Sequence, residues 1–370
     1  MCRAGWMPNF FWTPHSGYHW PGGDRRFFEG WYFRLTLPEA GESFAFMYSI
    51  DDPAGSSPLS GGDAQILGPG EGYLHCHLPH VNQFWAWPHR LGLGHWGRTT
   101  RPLEEARHLL PAAFTATVQQ GYQVTATHHQ GCLEDAATGA IAQWNYAVEP
   151  VYGWGNRPGP QLATAGWLSY LPIFEPGWLV LMAYGRATGW AEWQGHRYEF
   201  QQAPVYAEKN WGGAFPDRWF WLQANAFDDA PDLALTAVGG RRQVLGRTET
   251  VGLIGVHWCG QLIALSSLNT AMSWYVTPWG HWQMTAHDYR YRIVLSGKAE
   301  SPPAQVQVPT LEGLRWECWD TTHGRLQLEV WARSRAGSDP ETLILQACTN
   351  LAGLEVGGQG WHQDWRFTQA

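Results

Sequence analysis

Glu208 lies in the stretch 203–227, APVYAEKNWGGAFPDRWFWLQANAF, followed by Lys209 and Asn210 and set among aromatic side chains. A carboxyl held among Tyr206, Trp211 and neighbouring rings loses hydration, so its charged form is disfavoured and its pKa rises toward that of a usable proton donor. Lys209 pulls the other way. A second acidic island, RRFFEGWY at 25–32, places Glu29 between Phe28 and Gly30. If both carboxyls face one cavity, each hinders ionisation of the other and one stays neutral near pH 7. The plain alternative is that each glutamate pairs with an Arg or Lys across a sheet. The chemistry these residues permit is acid chemistry in an aromatic enclosure. A neutral carboxyl gives a proton, ring faces stabilise a carbocation, and the walls exclude water that would quench it. Such a site suits a polyprenyl substrate. It suits a passive lipid carrier equally, and tryptophan platforms beside two carboxyls also describe a glycosidase, whose retaining type holds them about 5 Å apart.

The elements that must position these groups are read from composition and periodicity. A chain of 370 residues exceeds the usual size of one hydrophobic core, so two domains are expected. With 24 Lys+Arg against 32 Asp+Glu the formal charge is -8, and no concentrated basic face argues for a nucleic-acid partner. Charged residues make up only 15%, while aromatics reach 15% with 25 Trp, more indole than core packing alone requires. The six cysteines lack any Cys-x-x-Cys spacing and are expected as free, mostly buried thiols. The N-terminal residues show neither a secretory nor a transit pattern. The most membrane-like segment, 166–184, is broken by Pro172 and by Glu175-Pro176-Gly177, which reads as two short strands around a turn, with a shallow membrane-touching hairpin as the alternative.

Strand signals run along most of the chain. Phe33-Leu35-Leu37 and Phe44-Phe46-Tyr48-Ile50 alternate with other residues around a Gly-bearing turn, a hairpin pattern. The stretch 73–87 reads as an irregular aromatic loop. Its His75, His77 and His80 invite a metal, but no convincing fourth ligand accompanies them, so no metal is expected. LEEARHLL at 103–110 is the best helix candidate. From Phe114 onward, short strands punctuated by glycine continue to the C-terminus. Leu326-Leu328-Val330 face inward while Gln327 and Glu329 face outward. The fold class is therefore all-β, a pair of antiparallel barrels or sandwiches with few short helices. The seam at 200–204 divides them into 1–202 and 203–370. Because small barrels can enclose one apolar ligand, the site is expected inside a rolled sheet. No phosphate loop, nucleophile elbow, His-Glu-x-x-His or dinucleotide fingerprint is present, so no cofactor is called for.

Several strings are long and unusual: TPHSGYHW (13–20), RRFFEGWYFRLTLP (25–38), ESFAFMYSIDDP (42–53), ATAGWLSYLPIFEPGW (163–178), VYAEKNWGGAFPDRWFWLQAN (205–225) and GLEVGG (353–358). Together they resemble the tocopherol cyclase family over nearly the whole chain. FFEGWY with a later acidic-x-x-Trp-Gly element is also similar to carotenoid 1,2-hydratases, the neighbouring activity. The resemblance implies two lipocalin-like β-barrels. It also implies ring closure of an amphipathic phytyl-benzoquinol, 2-methyl-6-phytyl- or 2,3-dimethyl-5-phytyl-1,4-benzoquinol, to the chromanol of δ- or γ-tocopherol. Such a reaction needs no redox cofactor or metal. Plant members carry a chloroplast transit sequence that is not seen here, which points to a cyanobacterial cytoplasm, with peripheral contact with a thylakoid or other membrane.

Within that reaction Glu208 is expected as the general acid, Lys209 and Asn210 as residues that position it or the phenol oxygen, and Glu29 as the second carboxyl that keeps it protonated. Trp31, Tyr48, Tyr206, Trp211, Trp219 and Trp221 are the expected substrate-binding rings, although alternation lets only about half of them face one side. Asp320 and Glu355 are reserve acids.

Overall fold

The computed structural model describes residues 13–100, 105–164, 166, 174–244, 247–334 and 340–369. Among them the chain forms two antiparallel sheets, one of 11 strands and one of 12, each curled around its own core. In the first, the edge strand Gly72–Leu78 comes round against Gly92–Thr99 and His128–Glu134, nearly closing the sheet on itself. The expected all-β architecture of two rolled domains is borne out.

Alternation builds the first hairpin. Strand Phe28–Leu37 pairs with Glu42–Asp51 through a turn in which Gly41 takes a φ of 67°. Phe33, Leu35, Leu37, Phe44, Phe46 and Ile50 all enter the first core, because residues two apart on a strand share a face. The same rule makes a strand, Gly72–Leu78, of the start of the expected aromatic loop. Leu74, Cys76 and Leu78 turn inward while His75 and His77 turn to Asp63 Oδ1 at 2.8 and 2.9 Å.

The helix falls one segment later than the sequence suggests. Residues 105–110 are not helical, and 103–104 lie outside the described residues. The one described α-helix is Pro111–Thr117, with proline in its first turn where the missing N–H costs nothing. Ahead of it, Gln123 clasps the extended backbone by accepting from Leu109 N–H at 3.1 Å and donating to Leu109 O at 2.9 Å. The cysteine expectation also needs correction. Of the five described, all free, Cys76 and Cys318 are buried, Cys132 is half-buried, and Cys259 and Cys348 are exposed. Much of the expected 166–184 hairpin, residues 167–173, lies outside the described residues; Phe174–Glu175 and the long strand Gly177–Trp193 follow it.

The two sheets share one plan that positions the site. In each, the first strand of the domain pairs with a long late strand: Phe28–Leu37 with His196–Gly212, and Arg218–Ala224 with Thr342–Gly358. The expected seam at 202/203 falls inside His196–Gly212, whose pairing with Phe28–Leu37 continues to Gly212; the chain crosses to the second sheet over 213–217. The outward faces of these paired strands meet each other. Val151, Tyr152, Val180, Tyr184 and Tyr206 of the first sheet pack there with Trp221 and Ala234 of the second.

Candidate active site

Strand alternation separates the Glu-Lys-Asn trio. In the pairing of His196–Gly212 with Phe28–Leu37, Glu208 stands opposite Tyr32 and Asn210 opposite Gly30, while Lys209 stands opposite Trp31 and Trp211 opposite Glu29. Directly opposed residues share a face. Glu208, Asn210 and Tyr32 therefore look outward toward the second barrel, and Lys209 and Trp31 look into the first.

The outward face borders a cavity of about 830 Å³ between the barrels. That volume falls within the roughly 300–1,000 Å³ usual for small-molecule sites. Among the described residues the barrel interiors are packed with side chains. A hollow of only about 30 Å³ remains among Phe33, His129, Tyr146 and their neighbours in the first, while Trp274, Trp282, Trp361 and Trp365 pack the second. The site expected inside a rolled sheet thus lies between two of them. Side chains that fill a barrel leave no room in it, and the ring-rich outer faces enclose the space.

Glu208 is 7% exposed. It accepts a hydrogen bond from the Tyr206 hydroxyl at 2.6 Å and one from Trp221 Nε1 at 3.1 Å. Burial pushes its carboxyl up to about 7, against the opposing pull of the Tyr206, Trp178 and Trp221 donors and with help from the charge of Glu355. Tyr32 crosses Trp221 edge-on at 5.2 Å. Its hydroxyl is buried with no hydrogen-bond partner among the described residues.

The second barrel contributes the facing acids. Glu355 stands opposite Trp221 on one side and Asp320 on the other, so both carboxyls face the cavity. Trp219 Nε1 donates to Glu355 Oε1. Burial raises both carboxyls, Asp320 well above its usual range, where Glu355 and Glu71 add like-charge repulsion. Asp320 Oδ1 is buried without a partner among the described residues. Glu208, Asp320 and Glu355 thus form a cluster of buried carboxyls in which burial favours the protonated form of each.

Glu29 is not part of that cluster. Fully buried on the other face, it meets Lys209 Nζ at 2.6 Å and accepts the His19 backbone N–H at 2.7 Å. Burial alone would raise its carboxyl, but the charge of Lys209 holds it below the ordinary value, as an ionised partner. Burial lowers the Lys209 pKa while Glu29 opposes the change; the short contact keeps the pair charged. Trp31 and Tyr48 border the cavity by position, yet their side chains belong to the first core, where the Tyr48 hydroxyl meets His129 Nε2 at 2.7 Å. Tyr206, Trp219 and Trp221 surround the carboxyls, and Trp211 lies under His19, ring centroids 3.9 Å apart.

Sequence reasoning gave no role to Tyr32, Trp178 or His19, all of which line the cavity. Tyr32 was accessible to it: opposite parity from Glu29 and Trp31 sets it on the other face, once the pairing with Glu208 is known. His19 had no such signal beyond its place in TPHSGYHW.

The Tocopherol cyclase-like family model matches residues 25–358. "Probable tocopherol cyclase, chloroplastic" of Oryza sativa subsp. japonica is 40% identical over 382 residues, covering 96% of this chain and 80% of the rice protein. "Tocopherol cyclase, chloroplastic" of Zea mays is 41% identical over the same length and shares. Among solved structures, CghA with Sch210972 aligns over 94% of this chain and 97% of its own at a TM-score of 0.47 and 10% identity, too distant to bear on chemistry. With its match over 25–358 and these relatives, the chain belongs to the tocopherol cyclase-like family.

Proposed function

We propose that the protein is a tocopherol cyclase, closing the chromanol ring of a phytyl-benzoquinol of the 2-methyl-6-phytyl or 2,3-dimethyl-5-phytyl type. The observation that carries this reading is Glu208: a buried carboxyl with its pKa near 7, aimed into an aromatic cavity, in a chain of this family. The protonated Glu208 delivers its proton to the less substituted carbon of the trisubstituted alkene. A tertiary cation forms at the adjacent carbon, flanked by the faces of rings such as Trp178, Trp219 and Trp221. The neighbouring phenol oxygen captures it, forming the C–O bond, and the phenolic proton passes to a carboxylate of the cluster. One proton enters and one leaves, and substrate and product are isomers, so the chemistry requires neither a redox cofactor nor a metal.

Asn210 faces the same cavity and is suited to orient a quinol oxygen, whereas Lys209 and Glu29 act from behind the wall. Asp320 and Glu355 serve as the second carboxyls, the role expected of Glu29. The substrate partitions into lipid, which gives the protein reason to work at the surface of a thylakoid or other membrane. Among the described residues no helix is long and apolar enough to cross one.

Anaerobic incubation with a phytyl-benzoquinol, followed by chromatography, tests the reading. Chromanol should form, and Glu208→Gln with its fold intact should lower the rate by roughly 100-fold or more. Binding of the quinol without conversion would identify a carrier instead. Near-normal turnover in Glu208→Gln would move the proton source to Asp320 or Glu355.

A further inference from the structure

The buried Glu29–Lys209 pair has no part in the proton transfer, yet it ends at the cavity wall on His19. Lys209 Nζ carries three hydrogens and no lone pair. It has three acceptors: the Gly17 carbonyl, Glu29 Oε1 at 2.6 Å and His19 Nδ1 at 2.9 Å. A ring nitrogen that accepts from an ammonium must present its lone pair, so the imidazole proton sits on Nε2. The competing arrangement, Nδ1–H donating to Glu29 Oε1, spans a longer 3.3 Å and would aim an ammonium hydrogen at an N–H. Burial, together with the charge of Lys209, lowers the His19 pKa and keeps the ring neutral, although Glu29 opposes this. The ring is also fixed in orientation, lying parallel on the Trp211 indole with an interplanar angle of 0°. Its side chain is 21% exposed and lines the cavity.

We propose that His19 is a substrate-binding residue whose Nε2–H donates a hydrogen bond to the quinol hydroxyl that does not cyclise, with Lys209 and Glu29 as positioning residues that hold its tautomer. This deepens the cyclase reading and rests on it for the identity of the ligand. The two hydroxyls of a 1,4-benzoquinol point in opposite directions. While one lies beside the prenyl alkene and the carboxyl cluster, the other must meet a polar partner elsewhere on the wall. His19 supplies one: it is held by Lys209 and Trp211, whose side chains lie on the other face of the strand from Glu208, and it lines the same cavity.

The test compares equilibrium binding of two chromans by quenching of tryptophan fluorescence, one a chroman-6-ol with a saturated isoprenoid tail and the other identical but lacking the 6-hydroxyl. The wild-type protein should prefer the hydroxylated ligand by about 3- to 10-fold, the worth of one neutral hydrogen bond. His19→Phe should abolish the preference. His19→Gln, whose amide can accept from Lys209 and donate to the ligand, should restore part of it. With the phytyl-benzoquinol, His19→Phe should raise KM more than it lowers kcat, because the contact exists before and during the reaction. Independently of any variant, the nitrogen NMR shifts of the wild-type ring should show Nε2 protonated and Nδ1 bare. A proton on Nδ1, no wild-type preference for the hydroxyl, or a preference that survives in His19→Phe would overturn the proposal. Wild-type protein that discriminates the chromans but never converts the quinol would instead sink the cyclase reading and leave the His19 contact standing.

Discussion

At the scale of single residues, two glutamates of similar surroundings in sequence end in opposite states. Glu29 gains an ammonium at 2.6 Å and stays charged, whereas Glu208 gains only neutral donors, a hydroxyl and an indole, and is pushed up to about 7. Charge pairing overcomes burial in the first case and burial overcomes hydrogen bonding in the second. If Glu208 is the proton donor, the rate should be highest below about pH 7 and fall as the carboxyl ionises above it, in a kcat profile across pH 5.5–9. The same shift makes a stability prediction. The unfolded carboxyl ionises near 4.5 and the folded one near 7, so stability present below pH 4.5 is lost as pH rises to about 7 and stays lost above it. Glu208→Gln should therefore melt higher than wild type at pH 8, by on the order of 3 kcal/mol as an upper bound, and show no such gain at pH 4.5. Thermal melts at the two values check it. Equal differences at both would mean the carboxyl is not perturbed.

At the scale of strands, part of the abundance of tryptophan and of glycine is linked. Indoles lie flat across a glycine on the neighbouring strand, where any Cβ would intrude. A Cβ built at Gly357 would come 2.1 Å from Trp219 Cζ2, one at Gly177 2.3 Å from Trp211 Cε2, and one at Gly131 2.2 Å from Trp144 Cζ2. In the first pair the residues are directly opposed across the strands, as they are in the second. These contacts aim the site: Trp219 bonds Glu355, and Trp211 carries His19. Gly357→Ala must therefore displace a rigid ring rather than a flexible chain end. The expected result is a loss of about 1–3 kcal/mol in urea unfolding, with cyclisation slowed because Trp219 no longer holds Glu355. A stable and fully active Gly357→Ala would show that the ring can lie elsewhere.

At the scale of the whole molecule, the cavity exists only where the two barrels meet, so whatever joins them also shapes the site. Arg34, fully buried in the first barrel, reaches Gln223 Oε1 at 3.0 Å and the carbonyls of Thr322 and Leu351 at 2.9 Å each in the second. Its charge also opposes the rise in the Asp320 carboxyl. Arg34→Met should leave those three acceptors buried and unpaired, destabilising the protein by roughly 3 kcal/mol or more. Denaturant titration and the quinol assay check it, and a small effect on both would mean that apolar packing alone holds the barrels together. A second link is His323, placed between Glu71 at 3.0 Å and Glu42 at 3.1 Å across the same junction. The hydrogen bond to Glu71 raises its pKa against the effect of burial. Its stabilisation is present below about pH 6.5 and lost as pH rises through the higher folded value, so His323→Gln should destabilise measurably at pH 6 and hardly at pH 9.

Alternation of apolar residues, set by the two-residue period of a strand, was sufficient by itself to establish the all-β class and the hairpin over 33–50. It also limited the six expected substrate-binding rings to about half on any one side, though it did not say which half; the register then split Glu208-Lys209-Asn210 between two faces. The aromatic surroundings of Glu208 announced a carboxyl out of water, since composition around a residue limits its hydration wherever the chain goes. Pairing was another matter. Whether Glu29 meets Glu208 or Lys209 depends on the register between strands some 180 positions apart in the chain, which local pattern does not encode. The position of the cavity depends on more still: side-chain volume closes the barrel interiors, and only the packing of one outer face on the other brings Glu355 and Asp320 to Glu208. Local physics chose the strands and the kind of chemistry, and long-range packing chose the partners, because a proton's affinity for a carboxyl is set by whatever the fold places within a few ångströms of it.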